Sequence, residues 1–391
     1  MILRPLTLVG IILSLVTGVS LGVLIHLKFG EQSPTPASST IAAVLEEVAT
    51  NYVEDISEEE LLQFAIEGMM RGLDEHSDYL DPSAYQSLKA STTGRFGGIG
   101  IELGMVDDYF TVIAPIDDTP AANAGVLAGD RIVGVDGDTA KGMKLTDLIE
   151  TLRGDPGSIV TLSIKRKDEA TKDYELQRAI IEVASVRSRM LAPGYGYLRI
   201  SQFQTETGKD VAKHLKKLTE TASESLSGLV IDLRNNPGGT LQSSVEVADH
   251  FLNDGTIVST SGRHVSSEST YLAKHGDLLD GKPIVIIING GSASASEIVA
   301  AALQDTERAT IIGTTSYGKG SVQSVVPLDA DQALKLTTAY YYSPLGRTIH
   351  NIGVEPDIAL ELDEEALLDE AVQLLEAAQP NQLQARLNKN L

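Results

Sequence analysis

The run Asn289-Gly290-Gly291-Ser292-Ala293-Ser294-Ala295-Ser296-Glu297 carries the chain's candidate for nucleophilic chemistry. It joins an apolar strand pattern, Ile284–Ile288, to a helical one, Ser296–Gln304. Small residues at such a junction let a substrate backbone approach closely. A serine there points its hydroxyl at the helix N-terminus, where unpaired N–H groups and the helix dipole stabilise an oxyanion. The same residues have a plainer reading, since Ser294-x-x-Glu297 is a capping box and Ser294 could serve only to start the helix. Three serines share the turn, and their spacing does not choose among them.

A nucleophilic serine needs a base. No histidine stands in a turn motif near Ser294; His250 and His264 lie upstream and read as fillers. Lys319, in Ser316-Tyr317-Gly318-Lys319-Gly320, is the better candidate. As a general base it must be neutral, so its pKa must fall from about 10.4 towards ~7–8 by burial. The flanking glycines let backbone pack around the ammonium and exclude water. Gln323 can accept a hydrogen bond from Lys319 and orient it without adding charge. Taken alone, Lys319 also reads as an exposed turn lysine. A second feature, Asp232-Leu233-Arg234-Asn235-Asn236-Pro237-Gly238-Gly239, lies at a strand end. Gly238 and Gly239 can present backbone N–H groups as an oxyanion hole requires, or simply make a sharp turn.

Two glycine patterns are decoys. Gly313 to Lys319 matches G-x-x-x-x-G-K after a strand, but Gly320 stands where a phosphate-binding loop needs Ser or Thr, and Ser321–Leu328 reads as strand rather than helix. Gly98, Gly100 and Gly104 miss the dinucleotide fingerprint by one residue. The histidines are scattered and there are 0 Cys, so the sequence offers no metal constellation and calls for no cofactor.

The elements that must position these residues fall in order along the 391 residues. From Leu6 to Leu27 no residue is charged at neutral pH, with Arg4 before and Lys28 after. Roughly 20 apolar residues suffice to span a bilayer. The expectation is an uncleaved anchor, with a cleavable signal sequence as the rival given Gly18, Ser20 and Gly22. Either places the rest of the chain outside the cytoplasm, membrane-anchored in the first case and secreted in the second. Gln32–Thr40 is a Pro/Ser/Thr linker. Ile41–Leu80 has helical spacing, with Ser57 and Glu60 as a capping box, and reads as a helical spacer or an oligomerisation hairpin. From Phe96 to Val183 short strands take over, at Phe110–Ala114, Arg131–Val135 and Val160–Lys165, with hairpin chemistry at Asp136-Gly137 and a helix at Leu145–Arg153. Beyond Val186, strands alternate with helices, the sign of an α/β layer fold. A helix is expected from Glu364, with a polar end. The net charge of -23 disfavours a nucleic-acid partner.

In order, GRFGGIGIEL, AGVLAGDRIVGVDG, IDLRNNPGG, GSASASEI, TTSYGKGSVQ and YYYSPLGRTIHNIGVEPDI resemble the carboxyl-terminal processing (tail-specific) peptidases, over roughly residues 40 to 365. The resemblance implies a multi-domain α/β protein whose peptidase core has the crotonase/Clp protease superfold, with an inserted PDZ-like β-rich domain and an N-terminal helical region. The implied division is 1–30 anchor or signal, 31–40 linker, 41–92 helical region, 93–185 PDZ domain, 186–365 serine peptidase core and 366–391 helical tail. It assigns Ser294 as nucleophile, Lys319 as base and Gln323 as the residue that orients it. The amides of Ala295 and of the Gly238-Gly239 turn would form the oxyanion hole. Gly97, Gly98, Ile99, Gly100 and Ile101 would be the PDZ loop that clamps a chain-terminal carboxylate while the peptide adds a strand to the sheet edge. Arg153 would link the PDZ to the catalytic domain, or be a solvated helix-end arginine. The implied activity is endoproteolysis of protein or peptide substrates with free C-termini, without a cofactor. Two rivals are a PDZ-bearing adaptor with a degenerate core and a crotonase-like acyl-CoA enzyme.

Overall fold

The computed structural model describes residues 36–167, 169–222, 226–274 and 276–378. The chain divides into two units, Met1–Tyr79 and Leu80–Leu391. The apolar stretch Leu6–Leu27, the first part of the linker (residues 32–35) and the polar end of the tail lie outside the described residues; the rest of the expected linker, Pro36–Thr40, is helical instead. Among the described residues no helix is long and apolar enough to cross a membrane.

The first unit holds α1 (Pro36–Asn51) and α2 (Glu58–Arg71). The capping box forms: the Ser57 hydroxyl accepts from the Glu60 N–H at 3.2 Å, and the Glu60 carboxylate accepts from the Ser57 N–H at 3.0 Å. The helical expectation over Ile41–Leu80 runs too far. Gly72 closes α2, and the Asp74 carboxylate accepts from the N–H groups of His76 and Ser77, both at 2.8 Å. That turn releases the chain into a short strand, β1 (Asp78–Leu80).

The second unit opens with α3 (Pro82–Thr93), capped by Asp81 and ended by Gly94 in the left-handed region. The β-rich segment follows as β2 (Arg95–Gly98), β3 (Ile101–Val106), β4 (Tyr109–Pro115), α4 (Pro120–Asn123), β5 (Arg131–Val135), β6 (Asp138–Thr139), α5 (Leu145–Leu152), β7 (Ile159–Lys165), β8 (Lys172–Gln177) and β9 (Ala179–Glu182). Its antiparallel sheet has the order β3-β4-β5-β7-β8, with β6 hairpinned onto β5. Asp136 and Gly137 take φ of 50° and 89°, as the two-residue turn between β5 and β6 requires. Leu148 and Leu152 of α5 pack into the core with Val112, Val160 and Leu162. Separately, β2 pairs with β9, so the segment's entry and exit strands lie side by side. That is the geometry of an insertion.

The α/β layer comprises β10 (Val186–Ala192), β11 (Tyr195–Ile200), α6 (Thr207–Thr221), β12 (Gly228–Asp232), α7 (Leu241–Asp249), β13 (Thr256–Gly262), β14 (Ser269–Leu272), β15 (Ile284–Ile288), α8 (Ala295–Asp305), β16 (Thr310–Gly313), β17 (Ser321–Pro327), β18 (Ala333–Tyr342), β19 (Ile358–Ala359) and α9 (Glu364–Ala377). One sheet runs β10-β11-β12-β15-β16-β19, parallel from β11 onward. Strands covered on both faces read as unbroken apolar runs, and β15 is Ile-Val-Ile-Ile-Ile, wholly buried. Leu229, Ile231, Ile286 and Ile288 face α6, α7 and α8. Val230, Val285 and Ile287 face α9 through Leu367, Ala371 and Leu375. A second, antiparallel sheet joins β17, β18, β13 and β14. The molecule is thus the mixed α/β protein with an inserted β-rich domain that the sequence implied.

Candidate active site

β15 delivers the chain into the serine-rich turn at the carboxyl end of the parallel strands. There Ser294 takes φ 56° and ψ −112°, outside the regions a non-glycine residue favours. Such backbone strain persists only where surrounding bonds fix it. Here the Ala293 N–H donates to Asn236 O at 2.9 Å, and the Ser294 N–H donates to Glu297 Oε2 at 2.7 Å. The structure separates the three serines. The Ser292 hydroxyl donates to Leu233 O at 2.8 Å and the Ser296 hydroxyl to Asn236 O at 3.0 Å, and both side chains are fully buried. Half-buried Ser294 lines a cleft of about 520 Å³. Lys319, Gln323, Gly238, Gly239 and Ala295 line the same cleft.

Glu297 joins the serine turn to the lysine loop. Its buried carboxylate accepts from the Ser294 N–H, the Ser316 hydroxyl at 2.6 Å, the Gly318 N–H at 2.7 Å and the Lys319 N–H at 2.9 Å. Burial pushes the Glu297 carboxyl up, and those four bonds only partly pull it back, so it sits above its ordinary value. Gly320 is needed for contact, because a Cβ there would lie 2.4 Å from the His350 N. Tyr341, on β18, is fully buried and donates its phenol hydrogen to Lys319 O. Its phenol also touches the Ser294 side chain; burial first, then the Glu297 charge, hold it well above the usual tyrosine range. The Gln323 amide nitrogen donates to Ser321 Oγ at 2.9 Å and Thr337 Oγ1 at 3.3 Å. That leaves its carbonyl oxygen as the acceptor.

The glycine turn after β12 closes the other side of the cleft. Gly238 has φ 101°, and a Cβ there would sit 2.7 Å from the Ser294 Cβ. Gly239 has φ 147°, and its Cβ would sit 2.0 Å from Phe203 O. Only glycine fits either position. The Gly238 N–H donates to Asn236 Oδ1 at 2.9 Å, which corrects its expected place in the oxyanion hole. The Gly239 and Ala295 N–H groups have no acceptor among the described residues. Sequence reasoning missed Glu297 and Tyr341. The first was read only as a capping residue, although a glutamate at the start of a small-residue helix was a usable signal; the second had none.

A second groove, of about 200 Å³, lies in the β-rich domain between α5 and the sheet-edge strand β3, lined by Gly98, Ile99, Gly100, Ile101 and Leu103. The carbonyls of Ile99 and Gly100 turn inward, accepting from the N–H groups of Ala121 and Ile116, both at 2.9 Å. The N–H groups of Ile99 and Gly100 have no acceptor among the described residues. Gly97 is a correction: it lies in the β2–β9 ribbon, outside this groove, and a Cβ on it would meet Gly154 O at 1.9 Å. Arg153 is not a solvated helix end either. It is half-buried, donates to Ser87 Oγ of α3 at 3.2 Å and stacks 5.1 Å from the Phe96 ring.

Known proteins match the sequence that carries these elements. A profile of Peptidase family S41 matches residues 194–360, and one of the PDZ domain matches residues 97–176. A carboxy-terminal-processing protease of Bartonella bacilliformis is 46% identical over 333 residues, 85% of this chain and 76% of that protein. A carboxyl-terminal-processing protease of Synechocystis is 35% identical over 305 residues, 76% of this chain and 70% of that protein. The carboxy-terminal processing protease CtpB of Bacillus subtilis is 34% identical over 334 residues, 83% and 68% of the two chains. The serine turn, the lysine loop and the glycine turn all fall inside the first matched region and the groove inside the second, and the chain belongs to the carboxy-terminal processing proteases of Peptidase family S41.

Proposed function

We propose that the chain is a serine endopeptidase that cleaves proteins near their C-termini with a Ser294–Lys319 dyad. The observation that carries this reading is that Ser294, Lys319, Gln323, Gly239 and Ala295 line one cleft, while the neighbouring serines are tied to carbonyls. Neutral Lys319 takes the Ser294 proton as Ser294 Oγ attacks the scissile carbonyl. The developing oxyanion accepts hydrogen bonds from the Gly239 and Ala295 N–H groups. Lys319 then gives its proton to the leaving amine, and water cleaves the acyl-enzyme with Lys319 again as base. Gln323 orients Lys319 throughout. The open N–H groups of Ile99 and Gly100 and the β3 edge take the substrate's terminal carboxylate and last residues.

The length and uncharged character of Leu6–Leu27 support a membrane anchor with the catalytic unit on the extracytoplasmic side. The deciding experiment incubates wild type and Ser294→Ala with an unfolded protein ending in an apolar tail and reads the products by mass spectrometry. Wild type is expected to cleave and Ser294→Ala to leave the substrate intact. Equal cleavage by both would remove Ser294 from the mechanism, and a tail bound but cut by neither would favour the adaptor reading.

A further inference from the structure

A second polar cavity, of about 460 Å³, opens on the α9 side of the parallel sheet and shares no lining residue with the Ser294 cleft. Four arginines line it, Arg187, Arg189, Arg199 and Arg234, against two carboxylates, Asp232 and Glu364. In a chain of net charge -23, such a local excess of cations demands an explanation.

The strand register creates it. Arg187 and Arg189 alternate on β10, and Arg187 pairs directly with Arg199 across the antiparallel β10–β11 ladder. Like charges placed opposite one another destabilise a sheet unless something neutralises them. Arg199 in turn pairs with Asp232 in the parallel β11–β12 ladder, so the cationic row continues towards the strand ends. Asp232 offsets only part of that row, because its one charge is shared between Arg199 and Arg234. Arg234 grips it through Nε at 3.0 Å and Nη2 at 2.6 Å, and the Tyr197 hydroxyl donates to it at 2.8 Å. Arg199 lies 3.6 Å from Asp232 and gives hydrogen bonds to the carbonyls of Ile200 and Asp232. Among the described residues, neither Arg187 nor Arg189 has a carboxylate within ion-pair distance, and both are exposed. Arg189 stacks 4.9 Å from the Tyr197 ring, which holds its guanidinium at the cavity wall. The cavity also lies outside the carboxyl ends of parallel strands, where α/β sheets commonly bind ligands.

We propose that this cavity binds an oxyanion carrying two or more acceptor oxygens, held by Arg187, Arg189 and Arg199. Planar guanidinium groups give paired, charge-assisted hydrogen bonds to phosphate and carboxylate alike. Free phosphate and the carboxylates of an acidic peptide present the same chemistry, and the test tells them apart.

The full chain carrying Ser294→Ala, in detergent, would be titrated calorimetrically with inorganic phosphate and with a short glutamate-rich peptide amidated at its C-terminus. Sodium chloride would hold ionic strength constant. Saturable binding of either probe is expected, and which probe binds names the source. Arg187→Glu with Arg189→Glu is expected to weaken it about tenfold or more, and the milder Arg187→Gln with Arg189→Gln less. Both residues are exposed on an edge strand, and thermal melts would check that each variant folds. No saturable binding of either probe, or binding unchanged in both folded variants, overturns the proposal.

Discussion

Glu297 holds the backbone of both proposed catalytic residues, Ser294 and Lys319, on one carboxylate. Four donors point at its two oxygens, so glutamine is a poor replacement: one oxygen would become an amide NH2, itself a donor, facing those donors. Each buried donor left unpaired costs about 1–3 kcal/mol. A misplacement of ~1 Å in a catalytic group can cost about a hundredfold in rate. Glu297→Gln is therefore expected to lower kcat about a hundredfold while Ser294 and Lys319 remain. Its effect on stability has a definite sign with pH. A carboxyl raised on folding holds more protons in the native than in the unfolded chain, between its ordinary value of 4.5 and its raised one. Its contribution is fully present below 4.5 and is lost as pH rises through the folded value. Glutamine has no such slope, so the stability gap between wild type and Glu297→Gln should narrow from acid to neutral pH. Urea unfolding at a series of pH values measures it, and a gap that widens would mean the carboxyl is lowered, not raised.

At the scale of elements, the glycine turn after β12 tests how the cleft is assembled. Gly239→Ala would put a Cβ within 2.0 Å of Phe203 O at a φ of 147°. Phe203 and Gly239 form an isolated β-bridge there, so the clash pushes on the segment after β11 that seats the turn. Backbone strain of this kind costs on the order of 1–3 kcal/mol, and the collision adds to it. The expected result is a melting temperature lower by several degrees together with loss of activity; an unchanged melt would mean the turn relaxes freely. This turn and its neighbours show what a sequence reveals of such a site. β12 and β15 were legible because strands buried on both faces read as apolar runs, broken in β12 only by Asp232 at its end. The helices around them were legible from their apolar spacing. β10 was not, because Arg187 and Arg189, exposed on an edge strand, interrupt the apolar run that marks the buried strands. β18 was not, since its polar positions follow no clean alternation. The helix after Ile41 was overextended because the Asp74 turn that ends it is made by one side chain bonding two amides. Which serine meets the cleft was legible only by resemblance. Ser292, Ser294 and Ser296 are chemically identical, and what separates them is which carbonyl each hydroxyl reaches. Gly238 and Gly239 differ in the same way, since only the fold shows that Asn236 occupies one of the two amides.

At the scale of the molecule, the Ser294 cleft and the β3 groove are two sites in one unit of the chain, and a substrate that ends in the groove must reach the cleft with an upstream segment. Cleavage should therefore depend on the substrate's terminus as well as on its cut site. On the proposed reading the groove contributes through the N–H groups of Ile99 and Gly100, which would bond a carboxylate more strongly than a neutral amide. Amidating the C-terminus of a protein substrate is expected to lower kcat/KM about tenfold or more, and the penalty should fall mainly on KM if the groove only tethers. Leu103→Asp puts a like charge beside the carboxylate and should give a similar loss with the free-terminus substrate. It should add little with the amidated one, because the contact it disrupts is already gone. The double comparison separates tethering from a general defect: two independent, multiplying losses would mean that the groove does not read the terminus, and that cut-site selection lies in the Ser294 cleft alone.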